Sequence, residues 1–143
     1  MSSLPAPSAP STEAYLEAAG PQLADKCTAC GACFDACPMV DYIDLRNADA
    51  REVTADLRRL ARGEPGGTEV VAWVGACTKS GRCRSACPEQ SVGLDAMLLI
   101  RVAKQRALNV THQLKGKRDQ STFPRVKTFA RLQLTDEELA KWL

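Results

Sequence analysis

Four cysteines crowd into one short segment, Cys27, Cys30, Cys33 and Cys37, the last followed by Pro38, and this spacing constrains the fold more than any other feature of the chain. A second segment, Cys77, Cys83 and Cys87-Pro88, repeats the register with Ser80 where a thiol is missing. Two residues between cysteines let a tight loop turn three sulfurs toward one centre. Seven cysteines are an odd number. Closely spaced C-x2-C pairs in a chain of non-secretory type are metal or redox sites before they are disulfides.

The run C-x2-C-x2-C-x3-C-P is the ligation pattern of iron-sulfur clusters in which the fourth cysteine reaches a different cluster from the first three. Crossed ligation assigns Cys27, Cys30, Cys33 and Cys87 to a 4Fe-4S cluster A. It assigns Cys37, Cys77 and Cys83 to a cluster B with three thiolates. Three thiolates suit a 3Fe-4S cluster, since the absent ligand would have held the iron that such a cluster lacks. A 4Fe-4S cluster completed by the Ser80 oxygen, a water or a partner residue is the alternative. Two tetrahedral zinc sites would need eight ligands, and the seven cysteines with His112 just reach that count, but three ligands in C-x2-C-x2-C are too close together for the usual zinc arrangement.

Gly31 and Gly81 occupy corresponding places in the two segments, where a positive φ would let backbone N–H groups approach the sulfurs. Trp73, just ahead of Cys77, reads as a core residue beside cluster B. Arg82 and Arg84 flank Cys83 on what reads as a solvated face that could also hold an acidic partner.

A chain of 143 residues suggests one small domain, of the size that commonly leans on metals for stability. Its longest continuous apolar run, from Val70 to Cys77, falls far short of the roughly 20 residues a membrane span needs. The N-terminal residues lack the basic and apolar regions of a secretory signal, which makes the cytoplasm the expected compartment. Nine Lys or Arg residues against the single acid Asp119 lie between Arg101 and Arg131. Such a stretch can meet an acidic subunit or, peripherally, an anionic membrane; regularly spaced aromatics that would favour nucleic acid are missing.

Residues 1–11, rich in Pro, Ala and Ser, read as a disordered arm. A short helix is expected from Thr12 to Ala19, stopped by Gly20-Pro21, and another from a cap at Asn47 or Asp49 through Arg62, with Val53, Leu57 and Leu60 on its apolar stripe. The segment from Thr68 to Ala76 fits a strand or a buried helix. A long buried helix is expected from Ser91 to Leu108, then an irregular basic tail through Lys115 and Phe123-Pro124-Arg125, then a terminal helix opened by the capping box Thr135 to Glu138.

Across residues 12–108 the double cysteine motif, with Trp73 ahead of Cys77, resembles the α-helical ferredoxin domain. That domain occurs in the iron-sulfur subunits of succinate dehydrogenase and fumarate reductase and in the C subunit of heterodisulfide reductase. The resemblance implies an all-α fold, helix rather than strand at 68–76, and two clusters held between helices. The Ser80 register is similar to the quinone-side 3Fe-4S site of the former relatives, whereas size and domain content resemble the heterodisulfide reductase subunit. It further implies an electron-transfer subunit, itself non-catalytic, linking a flavin or iron-sulfur partner to a catalytic subunit, with residues 109–143 available for docking. A free dicluster ferredoxin or redox sensor, and a subunit whose second cluster meets a quinone or sulfur substrate, are the competing expectations.

Overall fold

The computed structural model describes residues 10–108 and 122–142, which places the N-terminal residues 1–9, His112 and Lys115 outside the described part. The chain divides into two units, residues 1–111 and 112–143. The described residues are helical, without a strand.

In the first unit, α1 (Thr12–Lys26) opens on Ser11, whose hydroxyl accepts the Ala14 N–H at 3.1 Å. The helix does not stop at Gly20-Pro21 but runs through both residues. Gly20 is there because the backbone of α1 lies against that of α4 (Ala50–Ala61): a Cβ at this position would sit 2.0 Å from the Ala61 carbonyl oxygen. Pro21 removes one helical hydrogen bond and costs roughly 3 kcal/mol. Burial of Leu16 and Leu23, at about 1.5–3 kcal/mol each, offsets that cost, and Ala19 and Ala24 are fully buried beside them.

Of the two candidate caps, Asp49 starts α4: its carboxylate accepts the Arg51 and Glu52 N–H groups at 2.9 and 3.1 Å. Val53, Leu57, Leu60 and Ala61 form the buried stripe, and Thr54 joins it by donating its hydroxyl to the Ala50 carbonyl at 2.8 Å. Residues 68–75 form a helix, α5 (Thr68–Gly75), whose Val70, Trp73 and Val74 follow helical spacing into the core. Its first turn is tied to α4, because Gly67 donates its N–H to the Asp56 carboxylate at 2.9 Å.

The long helix α7 (Ala96–Leu108) begins later than Ser91. Pro88–Val92 is a 3-10 turn closed by Gly93 at φ 76°, and Asp95 then caps α7 by accepting the Met97 and Leu98 N–H groups at 3.1 and 3.2 Å. Val92 is therefore 49% exposed rather than part of the apolar face. Between these helices lie the short α2 (Ala32–Asp35), α3 (Met39–Tyr42) and α6 (Arg82–Ala86). Phe34 of α2 meets Trp73 of α5 edge to face, with ring centroids 5.1 Å apart at 75°.

In the second unit, the basic tail is helical from Thr122 to Ala130 (α8), with Pro124 in the first turn, where its missing N–H has no helical partner to lose. The capping box forms ahead of α9 (Asp136–Trp142): Thr135 donates its N–H to the Glu138 carboxylate at 2.9 Å, and the Glu138 N–H donates back to the Thr135 hydroxyl at 3.4 Å. The Thr135 N–H and its hydroxyl, the latter at 3.0 Å, both donate to the Glu138 carboxylate and hold that carboxyl below its usual range. No helix among the described residues is long and apolar enough to cross a membrane.

Gly20→Ala is expected to destabilise the fold by on the order of 1–3 kcal/mol, the usual cost of overpacking. Gly75→Ala, where an added Cβ meets nothing within 4 Å, is expected to leave stability unchanged or raise it by up to about 1 kcal/mol. Denaturant unfolding at equal iron content compares the two.

Candidate functional site

Helices α1 and α5 each deliver the chain into a cysteine loop, and the two loops share their backbone path. Ala29 and Lys79, two residues beyond Cys27 and Cys77, have φ of 54° and 62°; Gly31 and Gly81, two residues further, have φ of 87° and 80°. Ser80 therefore stands in the second loop where Cys30 stands in the first. A left-handed conformation at a residue with a side chain costs on the order of 1–3 kcal/mol and persists only where the surroundings impose it. Its occurrence at matching places in both loops shows that the turn serves the sulfurs it carries. The two glycines are needed for different reasons. At Gly31 a Cβ would also press on the Ala50 side chain at 2.8 Å, whereas at Gly81 nothing lies within 4 Å and only the backbone angle demands glycine.

Cys27, Cys30, Cys33 and Cys87 line one cavity, walled by Thr54 and Leu57 of α4, by Leu94, and by Ala96 and Leu99 at the start of α7. Cys37, Cys77 and Cys83 line a second, with Ser80 on its rim and Trp73, Met97 and Ile100 behind it. The last cysteine of each segment thus joins the first cysteines of the other. Helix α7 serves both cavities because successive positions point about 100° apart: Ala96 and Leu99 face one, Met97 and Ile100 the other. The Gln90 amide steadies the turn before Cys87 by donating to the carbonyls of Arg84 at 2.8 Å and Cys87 at 3.0 Å. Arg84 is held at 2.8 Å by Asp95, while Arg82 is exposed.

Burial pushes the Cys33 thiol from 9.0 up to about 12, and the neighbouring thiols Cys27, Cys83, Cys30 and Cys87 add to the shift. Burial also raises the thiols of Cys27 and Cys83; Cys30 and Cys87 act on the first, Cys77 and Cys37 on the second. Cys27 and Cys83 thus feel the sulfurs of their own cavities, and Cys33 feels Cys83 of the other as well. Of the cysteine positions and Ser80, only Cys30 and Ser80 are exposed. Among the described residues no three Cys, His, Asp or Glu side chains converge on a point where they could hold one metal ion. The thiols instead line two separate spaces.

A family model described as a 4Fe-4S dicluster domain matches residues 23–91, a span that contains all seven cysteines. A 4Fe-4S dicluster domain is present. No curated protein and no solved structure matches the chain. The donor set fits iron-sulfur clusters: thiols too buried to ionise alone near neutral pH become good ligands once cationic irons offset the charge on sulfur.

Sequence spacing identified every cysteine at these cavities, but not Ala29 and Lys79, whose residue types carry no sign of a left-handed turn; only the repeat offset to Gly31 and Gly81 hints at it. It also missed Thr54, Gln90 and two cations, Arg58 and Lys104, which approach the loops from α4 and α7.

The raised Cys33 thiol makes the metal-free fold alkali-sensitive. The unfolded chain releases this proton near 9.0 and the folded chain holds it to about 12, so the stability is fully present below the lower value and lost as pH rises toward the upper one. The melting temperature of the metal-free chain is expected to fall above about pH 9, and to fall less in Cys33→Ala.

Proposed function

We propose that this chain is an electron-relay subunit of a multi-subunit oxidoreductase of the heterodisulfide reductase kind, carrying two unequal iron-sulfur clusters. The observation that carries the reading is the pair of cysteine-lined cavities flanking α7, one with four thiols and one with three thiols and Ser80. On this reading Cys27, Cys30, Cys33 and Cys87 hold a 4Fe-4S cluster, and Cys37, Cys77 and Cys83 hold a 3Fe-4S cluster with Ser80 at the vacant corner. When bound, such clusters take up and give up single electrons.

The protein's own part is to keep the sites close, dry and rigid. Cys33 and Cys83, one from each cavity, sense each other electrostatically, and Phe34, next to Cys33, contacts Trp73 of the other cavity. Leu57, Leu99, Trp73 and Ile100 exclude water behind the sulfurs, which limits the solvent reorganisation that each change of charge would demand. On the outer side, Cys30 and Ser80 open the two sites to partners. The basic stretch from Arg101 to Arg131 and the terminal helix supply a docking region for neighbouring subunits. A second reading, in which a quinone or sulfur substrate meets the Ser80 side of the second site, is favoured by the exposure of Lys79, Ser80 and Arg82 together at that rim.

The purified chain is expected to contain about seven irons, four plus three, and to show in its oxidised state an electron paramagnetic resonance signal that disappears on one-electron reduction. Ser80→Cys should add about one iron and abolish that signal. About eight irons in the natural chain without the oxidised signal would sink the three-iron assignment. Affinity purification of the full chain should bring down a flavin or iron-sulfur subunit; isolation as a free monomer under gentle conditions would favour an independent ferredoxin.

A further inference from the structure

Each helix that enters a cysteine loop ends against a cation from a neighbouring long helix. Arg58 of α4 donates its Nε–H to the Ala24 carbonyl at 2.9 Å, in the last turn of α1 before Cys27. Lys104 of α7 donates its ammonium to the Gly75 carbonyl at 3.1 Å and to the Cys77 carbonyl at 3.4 Å, at the end of α5 and on the loop residue itself. Both cations are half-buried. Neither makes an ion pair among the described residues, in which Arg46, Arg59, Arg62 and Arg84 take the carboxylates.

A half-buried charge without a counter-charge is costly, and helix-end carbonyls offset only part of the cost. Surface packing alone would not select it. The two cations come from different helices and use different chemistry, so their shared position at the mouth of a cysteine loop is not a by-product of the loop repeat. What the loops share is the negative charge their sulfurs would carry once ligated.

We propose that Arg58 and Lys104 are paired positioning residues, each clamping the entry helix of one loop and each setting, by its charge, how readily the cluster of that loop is reduced. Arg58 governs the site of Cys27, Cys30, Cys33 and Cys87, and Lys104 governs the site of Cys37, Cys77 and Cys83. Reduction adds one electron, and therefore one negative charge, to the site. A fixed cation held in a half-buried place favours that charge more than bulk water would. Having a separate cation for each site lets the two potentials be set independently, which a relay needs if electrons are to move in one direction. This inference rests on the two-cluster reading above.

The test is a redox titration of the full, cluster-loaded chain followed by electron paramagnetic resonance, the transition that changes in Ser80→Cys marking the second site. Arg58→Gln is expected to disfavour reduction of the first site about tenfold, a fall of about 59 mV for one electron, with the second unmoved; Lys104→Gln should do the reverse. The charge-keeping variants Arg58→Lys and Lys104→Arg should restore most of the shift. Equal shifts at both sites, no shift, or a shift that persists when the charge is kept would overturn the proposal. So would loss of a cluster in the Gln variant with retention in the charge-keeping one, since the residue would then hold the fold rather than tune the site. A natural chain without two iron-sulfur transitions would instead remove the two-cluster reading, a result told apart at the first titration.

Discussion

Thiols that are buried together resist ionising, and the rest of this small fold is arranged around that fact. Cys33 shows it most strongly, its thiol held near 12 by burial and by the sulfurs around it. A cationic group bound among the thiols relieves the repulsion and becomes part of what holds the fold together. The hydrophobic residues around the cavities are few and the helices that carry the cysteines are short: α2 and α6 have four and five residues. Such helices do not persist alone in water. They gain their order from the loops that precede them and from the core that covers them.

The same demand explains the arrangement of the longer helices. Helices α1, α4, α5 and α7 contribute most of the buried side chains, and the cysteine loops hang from the ends of α1 and α5. Crossing of the last cysteines ties the two halves to each other. Neither half can form its cavity without the other, because each cavity takes its final thiol from the opposite segment. Helix α7 adds a wall to both. Against this near-symmetry Ser80 is the one substitution among the loop cysteines, and it makes the second site chemically distinct from the first.

Much of this was readable in the chain. The stripe of α4, its Asp49 cap, the capping box before α9 and the two cysteine loops all depend on contacts a few residues apart, which local spacing reports. The errors have equally definite causes. Gly20-Pro21 looks like a stop signal, but Gly20 answers to the Ala61 backbone in α4 and burial of Leu16 and Leu23 outweighs the proline. Val92 and Leu94 look like one apolar face with α7, yet Gly93 turns between them, leaving Val92 exposed and Leu94 buried. Phe123-Pro124 reads as irregular chain because proline is usually a breaker, whereas in a first turn it costs nothing.

The residues by themselves determined the seven thiols, their register in two segments, and Ser80 where the second segment lacks one. These follow from cysteine intervals, because a two-residue gap limits how far neighbouring sulfurs can separate whatever the rest of the chain does. Only the tertiary structure decided which side chains from distant segments stand around each cavity besides the thiols. Arg58, Lys104, Thr54 and Met97 reach the loops through helix packing, and packing depends on how whole faces fit, a property no short window of sequence contains.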